Sequence, residues 1–168
     1  MSATQITSAK GVRPPGTYLW PMAVDVITEI EIRRPRAEVS AFAADPDNAT
    51  RWYANIVEVT WETSPPLAVG SRLAFVARFL GRRLAYTYEV VEHDPGSRFV
   101  MRTAHGPFPM RTTYTWSDTP TGTLMQLRND GEPSGFARAS VPMMASAMRK
   151  ANSKDLARLK ALLEGVAS

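Results

Sequence analysis

Residues 71–104 read SRLAFVARFLGRRLAYTYEVVEHDPGSRFVMRTA. Uncharged, mostly apolar side chains take alternate positions in three successive runs: Leu73, Phe75, Ala77, Phe79; Leu84, Tyr86, Tyr88, Val90; and Phe99, Met101, Thr103. The intervening positions carry Arg72, Arg78, Glu89, Arg98 and Arg102. A period of two, with one apolar and one charged parity, marks strands buried on a single face. Gly81 and Asp94-Pro95-Gly96 separate the runs, and connections this short join antiparallel neighbours.

The pattern extends in both directions. Further turn signals at Ser64-Pro65-Pro66, Gly106-Pro107 and Thr119-Pro120-Thr121-Gly122 place strands near 55–63, 71–80, 83–93, 97–104, 109–118 and 122–131. Upstream, Met22 to Arg33 (MAVDVITEIEIR) is another strand, with Val24, Val26, Thr28, Ile30 and Ile32 dry and Asp25, Glu29 and Glu31 wet. Between that strand and the meander, Arg36 to Ala44 (RAEVSAFAA) shows helical spacing in Val39, Phe42 and Ala43. Asp45-Pro46 ends this helix and opens a second short one that runs through Trp52. From about Gly135 to Glu164 a long terminal helix is expected, with Leu156, Leu159 and Leu163 on one side and Lys154, Arg158 and Lys160 on the other. Pro142 requires that helix to begin afresh there or to kink. The fold class is therefore α+β: a strongly curved antiparallel sheet of about seven strands covered by one helix.

Composition narrows the function. A chain of 168 residues holds one domain, here 22–168, and Gly11, Pro14, Pro15, Gly16 and Pro21 mark residues 1–21 as an extended arm. With 44% hydrophobic and 21% charged residues the chain is neither disordered nor fibrous, and no apolar run approaches a membrane span. The absence of cysteine excludes disulfides, thiolate metal sites and a cysteine nucleophile. No secretory signal opens the chain, so a cytoplasmic location is expected. The net charge of +4 is spread along the sequence. Its densest clusters, Arg33-Arg34-Pro35-Arg36 and Arg82-Arg83, fall at strand ends, and no nucleic-acid partner is expected.

The inner parity also includes Val57, Val59 and Trp61, then Met110, Thr112, Tyr114 and Trp116, then Met125, Leu127 and Asn129. One helix cannot fill so wide a face, and the expected interior space has the mixed apolar and hydroxylic lining of a ligand pocket. Its candidate ligand-binding residues are Phe75, Tyr86, Tyr88, Met101, Thr112, Tyr114, Trp116 and Asn129 from the sheet, with Met143 from the helix, where Met144 and Met148 also cluster. The competing outcome is a solid core whose tyrosine hydroxyls bond to nearby backbone. Nucleophile elbows, phosphate loops and zinc-protease motifs are missing, and His93 and His105 both fall in turns, so no metal or cofactor is expected. No carboxylate, lysine or arginine points inward from mid-strand, and Glu92 shares the inner parity only at a strand end. This favours binding over acid–base catalysis unless a bulge turns Glu89, Arg102 or Arg111 inward.

The order of elements resembles the helix-grip fold of the START-like (SRPBCC) superfamily. The stretches Asp45-Pro46-Asp47-Asn48 with Arg51-Trp52, Val90 to Arg98, Gly131 to Phe136 and Asp155 to Glu164 are similar to its polyketide cyclase/dehydrase and lipid-transport branch. The resemblance spans roughly residues 22–164. It implies a deep hydrophobic cavity between sheet and helix, with Trp52 at its wall or mouth and Gly131 to Phe136 as an entrance loop. The arm departs from the superfamily pattern, which makes Met22 a candidate natural start. Three functions follow: carriage of a small hydrophobic ligand such as a lipid, sterol or polyketide; cyclisation or dehydration of a polyketide; or an interaction module with a filled core. A homodimer is compatible with each.

Overall fold

The computed structural model describes residues 24–132 and 140–165. Its elements are β1 (Val24–Ile32), α1 (Arg36–Ala44), a 3-10 turn (Pro46–Asn48), α2 (Ala49–Trp52), β2 (Ile56–Trp61), β3 (Arg72–Phe79), β4 (Arg82–Asp94), β5 (Arg98–His105), β6 (Met110–Thr119), β7 (Gly122–Gly131) and α3 (Val141–Glu164). All seven strands form one antiparallel sheet in the order β1-β7-β6-β5-β4-β3-β2. Consecutive strands β1 and β2 thus form opposite edges, and the short helices carry the chain across the full width between them. The arm, Met22 and the greater part of the expected entrance loop lie outside the described residues.

The alternation read from sequence sorts the two faces. Outward, Arg128 makes a paired contact with Asp25 (2.8 and 2.7 Å), and Arg111 does the same with Asp130 (3.1 and 2.9 Å). Glu89, Arg102 and Arg111 stay on this outer face, with Arg102 donating to Glu89 at 3.2 Å. Exposed pairs of this kind contribute at most about 1 kcal/mol each. Inward, α3 buries a stripe of Val141, Met144, Met148, Asn152, Asp155, Leu156, Leu159 and Leu163. Pro142 sits in its first turn, where a missing N–H costs nothing, so the helix begins there and is not kinked. Its far end is tied to the end of β1: Arg33 N donates to Glu164 Oε1, Lys160 Nζ to the Glu31 carbonyl and Arg34 Nε to the Leu163 carbonyl.

Two bulges correct the parity reading. Between Ile56 and Glu58 the β2 register shifts, so Val57, expected inside, is 46% exposed and Ile56 turns in. Between Val90 and Glu92 the β4 register shifts as well. Glu92, expected on the inner parity, turns out to meet Arg98 at 3.0 Å, and half-buried His93 stands edge-on to Phe99 at 5.7 Å. Each extra residue moves everything beyond it to the opposite face.

The buried apolar residues form two clusters. One holds Ile32, Val39, Trp52, Leu73, Phe99, Tyr114, Leu127, Leu156 and Leu159 among others; the second holds Val24, Val26, Phe108, Met110, Val141, Met144 and Met148. At the boundary between them each element places a polar residue: Thr28 on β1, Asn129 on β7, Thr112 on β6 and Asn152 on α3. Gly122 shows how tightly the first cluster is closed, because a Cβ there would lie 2.2 Å from the Ile32 carbonyl oxygen, whereas one at Gly165 would meet nothing. Both glycines have positive φ. Gly165→Ala should therefore cost about 1 kcal/mol from backbone strain alone, and Gly122→Ala several times more. Urea unfolding of the two variants checks the difference; equal costs would show that β1 and the β6–β7 turn are not in close contact.

Candidate ligand-binding cavity

The polar belt borders a partly open cavity of about 120 Å³ on the inner face of the sheet, beside the end of α2. Its lining comprises Tyr53, Ile56, Phe75, Ala77, Tyr86, Tyr88, Met101, Thr112, Tyr114 and Asn129. Seven of the residues expected from sequence therefore meet here: Phe75, Tyr86, Tyr88, Met101, Thr112, Tyr114 and Asn129. The other three stand elsewhere. Trp52 is fully buried in the first cluster, behind Tyr53. Trp116 is buried beside Tyr114 and lines a groove between α1 and the β4–β5 turn. Met143 is 63% exposed on the solvent side of α3.

Two hydrogen-bonded systems hold the polar lining. In the first, Asn152 Nδ2 of α3 donates to Asn129 Oδ1 at 2.8 Å, and Asn129 Nδ2 donates to Thr112 Oγ1 at 2.9 Å. Each amide keeps the other oriented, and Thr112 is left beside Tyr88. In the second, the Tyr53 and Tyr114 hydroxyls meet at 2.5 Å. Both rings are clamped from behind, Tyr53 by Trp52 at 3.8 Å and Tyr114 by Phe99 at 5.5 Å. Tyr86 is held by its ring, which stands edge-on to Phe108, and its hydroxyl has no hydrogen-bond partner among the described residues.

Burial raises the pKa of all four tyrosines. For Tyr53 the rise is large and Tyr114 adds to it; for Tyr86 the neighbouring Tyr88 adds to it. For Tyr88 the Thr112 and Thr103 hydroxyls oppose it in part, and for Tyr114 the bond to Tyr53 does so. Each hydroxyl is consequently neutral near pH 7 and serves as a hydrogen-bonding group, not as a phenolate base. Among the described residues the lining contains no carboxylate, imidazole, lysine or arginine.

A carboxylate does stand close by. Asp155 on α3 is buried and accepts from Ala54 N at 2.8 Å. Burial raises its pKa to about 6, against the opposing pull of the Ala54 N–H, Lys154 and Arg158. Its charge reaches Tyr53 and Tyr114, whose pKa values it helps to raise.

Comparison with known proteins agrees with this architecture. Residues 23–164 match the polyketide cyclase/dehydrase and lipid transport family. The chain belongs to that family. No curated protein matches it. TTHA0849 from Thermus thermophilus superposes with a TM-score of 0.73 at 18% identity, covering 86% of this chain and 99% of the other. A START superfamily protein from Mycobacterium smegmatis gives 0.70 at 14% identity, with 85% and 99% covered. The Zhui aromatase/cyclase from Streptomyces sp. R1128 gives 0.71 at 13% identity, with 84% and 94% covered. At these identities the likeness is one of fold, and it identifies the seven-stranded sheet and α3 as a helix-grip fold.

Tyr53, Asn152 and Asp155 are the site features that sequence reasoning passed over. Tyr53 follows the last residue of α2 in an extended conformation, and its ring stacks on Trp52 with its other side toward the cavity. Asn152 and Asp155 carry a readable signal: they lie on the apolar stripe of α3, Asn152 four residues from Met148 and from Leu156, and Asp155 four from Leu159. Polar residues on a buried stripe point to partners opposite.

The raised pKa of Asp155 gives a pH signature. Between its usual 3.8 and about 6 the folded protein holds a proton that the unfolded chain has lost. The resulting stability is complete below about pH 4 and is lost as pH rises through 6. At pH 7 the burial penalty amounts to at most about 3 kcal/mol. Asp155→Asn retains an oxygen acceptor for Ala54 N, so the variant should match the parent near pH 4.5 and exceed it in stability at pH 7.5. Thermal melts across that range check it, and parallel profiles for the two proteins would contradict the assignment.

Proposed function

We propose that this family member binds and carries a small, largely apolar molecule bearing hydroxyl or carbonyl groups, in this cavity. The observation that carries the reading is a cavity lined by neutral hydroxyls and an amide with no titratable group among its described walls other than those tyrosines. Such a surface orients a polar function by hydrogen bonds and offers no group poised to move a proton near neutral pH. The volume supports a modest ligand: about 120 Å³ is a little under the ~150 Å³ of an apolar cavity that takes up benzene. A sterol-sized ligand requires α3 to stand further off the sheet. The cavity also weighs against an interaction module, which needs a filled core. No described helix is long and apolar enough to cross a membrane.

One observation favours a second reading, a cyclase or dehydratase acting in the same space. Asp155 lies behind the Tyr53–Tyr114 pair with a pKa of about 6, in the range where a carboxylate can take up and release protons near neutral pH. For that chemistry its proton would have to reach the cavity through the paired hydroxyls.

The double variant Tyr88→Phe, Tyr114→Phe keeps ring packing and removes two cavity hydroxyls. It should weaken uptake of a naphthol probe about tenfold or more, the effect of losing hydrogen bonds worth ~1 kcal/mol each, and shift Tm by only a few degrees. Fluorescence titration and thermal melts give both quantities. Unchanged binding with a large loss of stability would make these tyrosines core residues and overturn the proposal.

A further inference from the structure

We propose that the tip of the β3–β4 hairpin docks onto an anionic lipid surface. Phe79 and Arg82 pair directly, so Leu80 and Gly81 alone form the turn. Their φ values are 49° and 75°, the doubly left-handed turn that favours Asn-Gly or Asp-Gly. Leucine suits that conformation poorly, since its Cβ is crowded when φ is positive. Nor does its side chain gain burial in return, being 58% exposed. An apolar residue that serves neither its turn nor the core is kept for contact with something outside the chain.

The flanking charges follow the same logic. Arg78 stands directly opposite Arg83 in the ladder, a like-charged cross-strand pair that works against the hairpin. Arg82 follows the turn, and all three arginines are exposed. Among the described residues only Arg83 has an acidic neighbour, Glu58 at 3.6 Å. The hairpin thus concentrates three guanidinium groups around one projecting leucine at a cost to its own stability.

Its position gives the tip a use. Ala77, two residues before Phe79, lines the cavity, and Phe79 packs against the cluster containing Met144 and Phe108. The tip therefore projects from the end of a strand that lines the cavity, with Leu80 exposed at its apex. An apolar point ringed by arginines matches the headgroup zone of an anionic bilayer, with leucine at the acyl boundary and guanidinium groups on phosphates. A folded protein partner needs a contiguous patch of several hundred Å², which one leucine does not supply.

Co-sedimentation of the full chain with vesicles tests this, using phosphatidylcholine alone or with about one-third phosphatidylglycerol. The protein should pellet with the anionic vesicles and not with the neutral ones. Leu80→Asn retains every arginine and suits the turn better, so it should lower vesicle affinity about fivefold or more while Tm holds or rises. Arg82→Glu should lower affinity as well. Equal binding by Leu80→Asn would reduce the effect to general cationic adsorption and overturn the proposal. Failure to pellet with anionic vesicles would overturn it too, and retention on polyglutamate in that case would assign the arginines to an acidic protein. The readout does not depend on what the cavity holds, so it stands or falls separately from the ligand reading.

Discussion

The hydrogen bonds from Asn152 to Asn129 and from Asn129 to Thr112 fix the relation of helix to sheet on which the cavity depends. These groups lie between two apolar clusters, away from bulk water, where an unsatisfied amide costs about 1–3 kcal/mol. Apolar packing tolerates small rotations of a helix, but a buried amide pair tolerates few, so the chain sets the rotation and the standoff of α3 together. The second anchor is the tie between the end of β1 and the last turns of α3. Held at its middle and at its far end, the helix spans a face it cannot fill, and the remaining space lies against the polar belt.

That belt also determines what the space can do. Tyrosine hydroxyls in an apolar surround stay protonated because burial penalises the phenolate, and paired rings behind them remove their freedom to reorient. The cavity therefore arrives preorganised for hydrogen bonding, with the nearby carboxyl of Asp155 set behind the tyrosines. Carrier and catalyst differ in this fold by one question, whether charge at Asp155 is transmitted through Tyr53 and Tyr114 to a bound molecule.

Much of this is legible in the amino-acid sequence. Alternation in Leu73 to Phe79 and Leu84 to Val90 reports burial directly, since side chains on a strand have no other way to divide between faces. Seven of the cavity residues follow from that parity. The faces of Val57 and Glu92 are not legible, because a bulge inserts a residue without any compositional mark and everything beyond it changes face; His93, read as a turn residue, instead lies at the end of β4. Trp52 and Tyr53 could not be ranked from type alone: which of two adjacent aromatics faces the cavity depends on the backbone angle at the end of α2. Met143 fell outside because methionine content identifies a helix as adaptable without saying which side is buried. Asn152 and Asp155, by contrast, stood in plain view on the apolar stripe of α3.

The central claim, a cavity that holds a small apolar ligand by neutral hydrogen bonds, is tested most directly by native mass spectrometry of the protein purified from its own host, before and after denaturation. The account predicts a defined additional mass in the native spectrum that is lost on denaturation and belongs to an uncharged molecule with hydroxyl or carbonyl groups. A clean unliganded mass, together with no uptake of a naphthol probe, would contradict it.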